Sequence, residues 1–130
     1  MTVYDSSVLI DYLDGNDAAV EYVENAVDDT AVAPPIVWFE VYQGEVYRTG
    51  PTDFPAVDRA LSWLTTVDTT AKHARAVASL QDSLNRRGRP LAARDALIAG
   101  VAIAEDERLV ATDTDFDVDG ITEHVDVVFP

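Results

Sequence analysis

The sequence predicts an α/β domain in which helices cover both faces of a short central parallel sheet. Short apolar segments alternate with longer segments in which apolar residues recur at the 3.6-residue period of an amphipathic helix. Such alternation is typical of parallel sheets built from strand–helix–strand units. The 130 residues are close to the size of one ordinary domain. We therefore expect a single three-layer α/β/α unit over residues 1–130.

Five short apolar segments predict the strands of this sheet. Most of them are separated by predicted helices, and right-handed crossovers leave few possible orders for strands joined in this way. The predicted strands are Thr2–Tyr4, Thr30–Ala33, Thr66–Asp68, Arg108–Thr112 and Asp126–Phe129.

Three helices are predicted in the first half of the chain. Ser6 or Ser7 caps the first one, and the turn Asp14–Asp17 separates it from the second. Pro34-Pro35 begin the third helix, since proline at the first helical position loses no hydrogen bond, and this helix runs to about Arg48. The apolar stripe of the second helix consists of Ala19, Val20, Val23, Ala26 and Val27.

Three more helices are predicted in the second half. A short helix follows the loop Thr49–Pro55, and Thr69 or Thr70 then caps a long helix that ends at Arg86–Pro90. The last predicted helix is Arg94–Glu105. The apolar stripe of the short helix consists of Val57, Ala60, Leu61 and Leu64, and that of the long helix of His73, Val77, Leu80 and Leu84.

Charge is the most unusual property of the composition. Aspartate and glutamate total 24 against 9 lysines and arginines, which gives a formal net charge of −15 at pH 7. This balance excludes a general basic nucleic-acid binder. The acids are spread along the chain, which fits either a halophile's solubility adaptation or an acidic surface for a basic partner. Only the placement of particular acids can therefore indicate catalysis.

Other features of the composition exclude further classes of protein. The chain has no cysteine, which rules out a disulfide scaffold, thiol chemistry and a thiolate zinc site. Its longest apolar segments, Ala31–Phe39 and Ala96–Ala104, are far shorter than the roughly 20 residues of a membrane span. No basic region precedes an apolar one at the start. We expect a cytoplasmic protein that does not associate with a membrane.

Four acids occupy positions that suggest a shared site. Asp5 directly follows the first predicted strand, and Asp113 directly follows the fourth. The carboxyl ends of parallel strands meet at one edge of the sheet, where such folds bind their ligands. Glu40 and Asp95 lie on the apolar stripes of their helices, on the face that packs against the sheet.

Converging carboxylates are costly without a cation. At about 5 Å and an effective dielectric constant of about 20, each pair costs about 3 kcal/mol. Mg²⁺ and Mn²⁺ prefer oxygen ligands, and a metal held in this way suits phosphodiester hydrolysis. Each acid also has a simpler interpretation when taken alone. Asp5 can be a helix N-cap and Asp113 a turn residue. Asp95 can favour the helix dipole, and Glu40 can be solvated.

The segments that contain these acids resemble, in order, the four motifs of PIN domains. Val3–Asp11 resembles the first motif, and Glu40 within Pro35–Gly44 resembles the second. Ala93–Ala99 resembles the third, and Ala111–Phe116 resembles the fourth. The resemblance covers essentially the whole chain. The length and layout look most like the VapC toxins of bacterial and archaeal toxin–antitoxin pairs, and the acidity resembles that of haloarchaeal proteins.

The resemblance implies a Mg²⁺- or Mn²⁺-dependent endoribonuclease that hydrolyses RNA phosphodiester bonds. It also implies a homodimer that a small antitoxin similar to VapB holds inactive. The family's catalytic and metal-binding roles fall on Asp5, Glu40, Asp95 and Asp113. Asp5 and Asp95 look like the most direct metal ligands. Thr112 resembles a position that orients water or phosphate in substrate binding, and Asp115 resembles an accessory acid.

Arginines precede the third motif. Arg86, Arg87, Arg89 and Arg94 supply four of the nine basic side chains. They can guide an RNA backbone toward the metal edge. Alternatively, Arg86 and Arg87 complement the C-terminal end of the long helix while the others are solvated. Arg94 is expected to lie closest to the acids and is the candidate for substrate binding.

Two other classes of protein stay open at this point. A signalling module similar to a phospho-receiver also binds Mg²⁺ through acids that follow strands. It needs a lysine after a late strand, however, and the only lysine, Lys72, lies in a predicted helix. The second alternative is a non-catalytic module that binds RNA or protein, against which the complete set of acids argues. Zinc is not indicated, because His73 is expected in the core and His124 in solvent.

Overall fold

Five parallel strands form one sheet in the structure, a computed structural model that describes residues 1–130. The strands are β1 (Thr2–Tyr4), β2 (Ala31–Ala33), β3 (Leu64–Thr66), β4 (Arg108–Val110) and β5 (Val127–Val128). Their order is β3-β2-β1-β4-β5, and every neighbouring pair is parallel. The predicted parallel sheet is confirmed.

Seven helices surround the sheet. They are α1 (Ser6–Leu13), α2 (Asp17–Asn25), α3 (Pro35–Val46), α4 (Phe54–Ala60), α5 (Ala71–Arg86), α6 (Ala93–Glu105) and α7 (Asp119–Thr122). Helix α1 packs against α2 and α3, and α3 packs against α4, whereas α5 packs against α6 and α7. Right-handed crossovers place these two groups on opposite faces of the sheet, which gives the predicted three layers. None of the helices is long and apolar enough to cross a bilayer.

One hydrophobic core runs between the sheet and the helices. Val3 and Leu109 from the strands are completely buried, as are Val37 of α3 and Ile98 of α6. The strands are only two or three residues long, so none of them supplies more than three residues to this core. Most of the apolar area therefore comes from the helix stripes, as the 3.6-residue patterns predict.

Helices α5 and α6 are joined more closely than any other pair. At Gly100 an added Cβ would lie 2.4 Å from Val77 Cγ2 and 2.9 Å from Val77 Cα. The buried His73 accepts the Thr70 N–H at Nδ1 (2.9 Å), so Nε2 carries the proton and donates to Glu105 Oε1 (2.6 Å). The expectation of a core histidine is correct, and these contacts fix the helix that carries Asp95.

The structure differs from the sequence-based expectations at several element boundaries. Leu64 is the first residue of β3 rather than part of the preceding helix, so the predicted strand Thr66–Asp68 lies two residues too late. Helix α2 ends at Asn25, which leaves Val27 exposed. The 3₁₀ turn Thr114–Phe116 and helix α7 are too short to show a periodic pattern.

Candidate metal centre

The sheet changes its direction of growth between β1 and β4, and the candidate site lies at that point. The chain leaves β1 toward β2 and leaves β4 toward β5, so the two connections diverge and open a crevice at the carboxyl ends. Asp5 follows β1, and its N–H donates to the Val110 carbonyl 2.9 Å away. Asp113 follows β4 after Ala111 and Thr112. The structure thus brings these two acids to one edge of the sheet.

The Ser7 hydroxyl ties the two strand ends together. It donates to Asp5 Oδ2 and accepts the N–H groups of Thr112 (3.0 Å) and Asp113 (3.3 Å). Asp5 Oδ2 also accepts the Ser7 N–H at 3.1 Å, so Asp5, rather than Ser6 or Ser7, caps α1. Sequence reasoning gave Ser7 only a capping role, and its position two residues after Asp5 was the available signal.

Glu40 of α3 and Asp95 of α6 bring two more carboxylates to this edge. Their side chains are only 12% and 7% exposed. Asp95 lies in the first turn of α6, where the helix dipole favours a negative charge. Glu40 lies in the middle of α3 without that support, and its Oε1 is buried with no hydrogen-bond partner. The solvated alternative for Glu40 is therefore wrong.

Arg94 is paired with both of these acids. Its Nη1 lies 2.9 Å from Glu40 Oε2, and its Nε lies 3.7 Å from Asp95 Oδ1. The arginine side chain is 55% exposed, so it covers the two buried carboxylates from the solvent side. The structure places Arg94 at the acids, as expected, but as their ion-pair partner.

Asp95, Asp113 and Asp115 form the tightest group of acids. One carboxylate oxygen from each lies within 4.8 Å of the other two. Asp113 Oδ1 accepts the Asp115 N–H at 2.9 Å, which holds this part of the 3₁₀ turn in place. Asp5 and Glu40 lie outside the group. Geometry therefore favours Asp115 over Asp5 as a direct ligand, the reverse of the order that the sequence resemblance implies.

Burial sets the protonation behaviour of the centre. It raises the pKa of the Asp5, Glu40 and Asp95 carboxyls above their ordinary values. Repulsion from neighbouring carboxylates raises each pKa further. The Arg94 guanidinium opposes the rise in pKa for Glu40 and Asp95, and the hydrogen bonds from Ser7 oppose it for Asp5. A cation bound here would offset both the cost of burying these charges and the repulsion between them.

The residues present fit a hard divalent cation. Every candidate donor is a carboxylate oxygen, which is the donor that Mg²⁺ and Mn²⁺ prefer over nitrogen or sulfur. Asp115 is exposed and Asp113 partly so, which leaves the group open toward solvent for water and a substrate. The buried Glu40 Oε1, which has no hydrogen-bond partner, is a further carboxylate oxygen at this edge.

Two of the other three arginines that could guide an RNA backbone are already paired with acids. Arg86 pairs with Asp82 at 3.1 Å, and Arg87 pairs with Glu123 at 2.6 Å. Arg89 is exposed on the turn between α5 and α6. Arg86 also lies in the last turn of α5 and Arg87 is its C-cap, so the alternative in which they complement the C-terminal end of the long helix describes these two side chains best.

The largest cavity is at the opposite, amino edge of the sheet. Its volume is about 1010 Å³, and its lining includes Thr2, Tyr22, Asp29 and Arg108. No acid of the candidate centre lines it. The group of Asp95, Asp113 and Asp115 is instead open to solvent on its Asp115 side, as suits a site for a polymer rather than an enclosed small molecule.

Residues 2–119 match the PIN domain family, a range that contains every acid of the centre. The chain belongs to the PIN domain family, and the resemblance found in its four sequence segments is confirmed. Membership supports a nuclease role and a divalent metal at the acids. No curated protein matches the chain.

Solved structures with the same fold come from toxin–antitoxin pairs. VapBC2 of Rickettsia felis, bound to a DNA fragment from the promoter, matches with a TM-score of 0.85 at 22% identity over 98% of this chain and 97% of that chain. A toxin–antitoxin complex from Klebsiella pneumoniae matches with a TM-score of 0.74 at 24% identity, over 100% of this chain and 98% of that chain. VapBC-5 of Mycobacterium tuberculosis matches with a TM-score of 0.72 at 25% identity, over 99% of this chain and 98% of that chain. These structures share the fold of this chain over nearly its whole length.

Proposed function

We propose that this chain is a Mg²⁺- or Mn²⁺-dependent endoribonuclease and the toxin of a toxin–antitoxin pair. The observation that carries the proposal is the convergence of acids from separate chain segments at the switch point of the sheet. Three of them, Asp95, Asp113 and Asp115, bring carboxylate oxygens within 4.8 Å of one another. The PIN family supplies the nuclease class, and the resemblance to VapC toxins supplies RNA as the substrate.

Asp95, Asp113 and Asp115 would hold the metal, with Asp5 and Glu40 beside it. A divalent cation bound at this position would lower the pKa of a bound water and would stabilise the charge that develops on a phosphate. The chain's own contribution is a set of carboxylates that are held close together before any metal binds. Asp95 is fixed at the start of α6, and Ser7 ties Asp5 to the backbone of Asp113. Such ligands need little reorganisation during the reaction.

Arg94 and Thr112 would contact the substrate. A guanidinium carries five N–H donors, and the pairs with Glu40 and Asp95 leave others free on the exposed side of Arg94. These free donors can bind a phosphate oxygen of RNA. The Thr112 N–H donates to the Ser7 hydroxyl, which holds this residue at the carboxyl end of β4, directly before Asp113.

Asp95→Asn tests the proposal by replacing one carboxylate oxygen with an amide nitrogen, which leaves the size of the side chain almost unchanged. We expect it to abolish metal-dependent cleavage of RNA, because a neutral amide replaces one of the three carboxylates that would hold the metal ion. Asp68→Asn, at an exposed acid in the loop after β3, is the matched control and should cleave as the wild type does. The assay follows cleavage of a labelled total RNA at high KCl with Mg²⁺, with Mn²⁺ or with EDTA.

Two outcomes contradict the proposal. If Asp95→Asn cleaves RNA at the wild-type rate, the acids are not a catalytic centre. If the wild type binds a divalent metal but cleaves no RNA, the non-catalytic binding module becomes the better description.

As a toxin of this class, the chain would bind a small antitoxin and pair with a second copy. The similar structures from Klebsiella pneumoniae and Mycobacterium tuberculosis come from toxin–antitoxin systems. Helix α3 presents Phe39 and Val46 to solvent, and Tyr47 follows its end, which gives an apolar surface for a partner. Light scattering at high KCl should give the mass of a dimer, and a monomer at every concentration contradicts the homodimer.

A further inference from the structure

Arg94 lies at the end of a helix where a positive charge is unfavourable. It is the second residue of α6, and the unpaired N–H groups of a first helical turn repel a cation. Its partners are Glu40 at 2.9 Å and Asp95 at 3.7 Å. The acids, rather than the helix, therefore hold the guanidinium where it is.

Glu40 depends on this arginine. Its side chain is 12% exposed, and Arg94 is the only ion-pair partner of its Oε2. Its Oε1 is buried without a partner. A half-satisfied, buried carboxylate of this kind requires a positive charge beside it to stay ionised. In this structure the positive charge comes from the chain itself.

The acidic centre thus has two halves that share Asp95. One half consists of Asp95, Asp113 and Asp115, whose oxygens are close enough for one metal ion. The other half consists of Glu40 and Asp95, whose oxygens both lie within 4 Å of the Arg94 guanidinium. The guanidinium therefore occupies the position in which a cation would lie between these two carboxylates.

We propose that Arg94 is a built-in cation that occupies the Glu40 half of the centre, so that the chain holds one divalent ion and excludes a second. The inference rests on the proposed metal centre and adds the number of ions to it. Arg94 is a positioning residue here, because it fixes Glu40 and leaves the ion on the Asp95, Asp113 and Asp115 half.

The exclusion can be tested because Arg94 is 55% exposed. Its removal empties a position at the surface and leaves the hydrophobic core intact. A neutral side chain at position 94 then leaves Glu40 and Asp95 without a counter-ion. An added divalent ion should take the place of the guanidinium, since hard cations bind paired carboxylates well.

Counting bound Mn²⁺ ions on the full chain tests this directly, by calorimetric titration together with electron paramagnetic resonance at high KCl. We expect one ion for the wild type and two for Arg94→Gln. Arg89→Gln removes the same charge from an exposed arginine that makes no ion pair, and it should bind one ion. The double variant Glu40→Gln/Arg94→Gln should return to one ion, because the second ion needs the Glu40 carboxylate.

Each other outcome overturns the inference. Arg94→Gln that still binds one ion at wild-type affinity, or binds it more weakly, shows that Arg94 does not compete with a metal. That result leaves the proposed function intact, whereas a wild type that binds no Mn²⁺ removes both.

Glu40→Gln alone gives a second test should Arg94→Gln fail to fold, which circular dichroism would reveal. We expect it to bind one ion with an affinity within about twofold of wild type, since Glu40 lies outside the group of Asp95, Asp113 and Asp115 that holds the ion. A loss of about tenfold or more makes Glu40 a metal ligand and contradicts the inference.

Discussion

Neutralising Asp95 should stabilise the metal-free protein. The Asp95 side chain is 7% exposed, and its contact with Arg94 is long, at 3.7 Å. Its carboxylate lies within 4.8 Å of those of Asp113 and Asp115. At an effective dielectric constant of about 20, each such repulsion is worth about 3 kcal/mol. Solvent around the more exposed pair and the attraction of Arg94 reduce the total, which leaves a net gain of about 1–2 kcal/mol for Asp95→Asn.

The assay is thermal unfolding in EDTA and in excess Mg²⁺. Both measurements are made at high KCl, which screens the repulsion through which the net charge of −15 would otherwise lower the free energy of unfolding. In EDTA the melting temperature of Asp95→Asn should rise by about 4–7 °C. In Mg²⁺ the wild type should gain stability from the bound ion, and the order should reverse. A variant that melts below wild type in EDTA would show that Asp95 is a structural hydrogen-bond partner, which refutes the reasoning.

Three further predictions follow from the geometry. The gain of Asp95→Asn over wild type in EDTA should shrink as the pH falls from 7 toward 4, because burial raises the pKa of the Asp95 carboxyl and the folded wild type gains stability as it takes up that proton. Urea titrations at several pH values measure this gain, and a constant difference contradicts it. Ser7→Ala should cost about 1–3 kcal/mol and weaken Mn²⁺ binding, because the Thr112 and Asp113 N–H groups lose their acceptor. Unchanged urea unfolding would show that water replaces the hydroxyl. Gly100→Ala should cost about 1–3 kcal/mol without changing Mn²⁺ affinity, since its Cβ meets Val77, and an unchanged melting temperature refutes the close approach.

The parts of the fold that sequence could predict are those fixed by local pattern. The short strand before Asp5 and the one before Asp113 follow from apolar segments that end in an acid. The stripe of α6 identified Asp95 as an inward-facing acid, and its burial agrees. Parallel strands then require the two strand ends to share an edge.

The parts that sequence could not predict depend on contacts between distant residues. Ser7 reaches Thr112 across 105 positions, and although Ser7 lies close to Asp5 in the sequence, no local pattern pairs it with Thr112. The pair of Arg94 with Glu40 joins two helices whose relative position comes only from the packed core. The start of β3 was misplaced because Leu64 fits a helix stripe and a buried strand equally well.

The most direct measurement is the anomalous scattering of Mn²⁺ in crystals of the wild-type chain grown with the metal. The account predicts one peak per chain at about 2 Å from carboxylate oxygens of Asp95, Asp113 and Asp115, with Arg94 still on Glu40. Density that shows these three side chains well ordered but no metal peak between them, or a peak only at acids elsewhere on the surface, would contradict it.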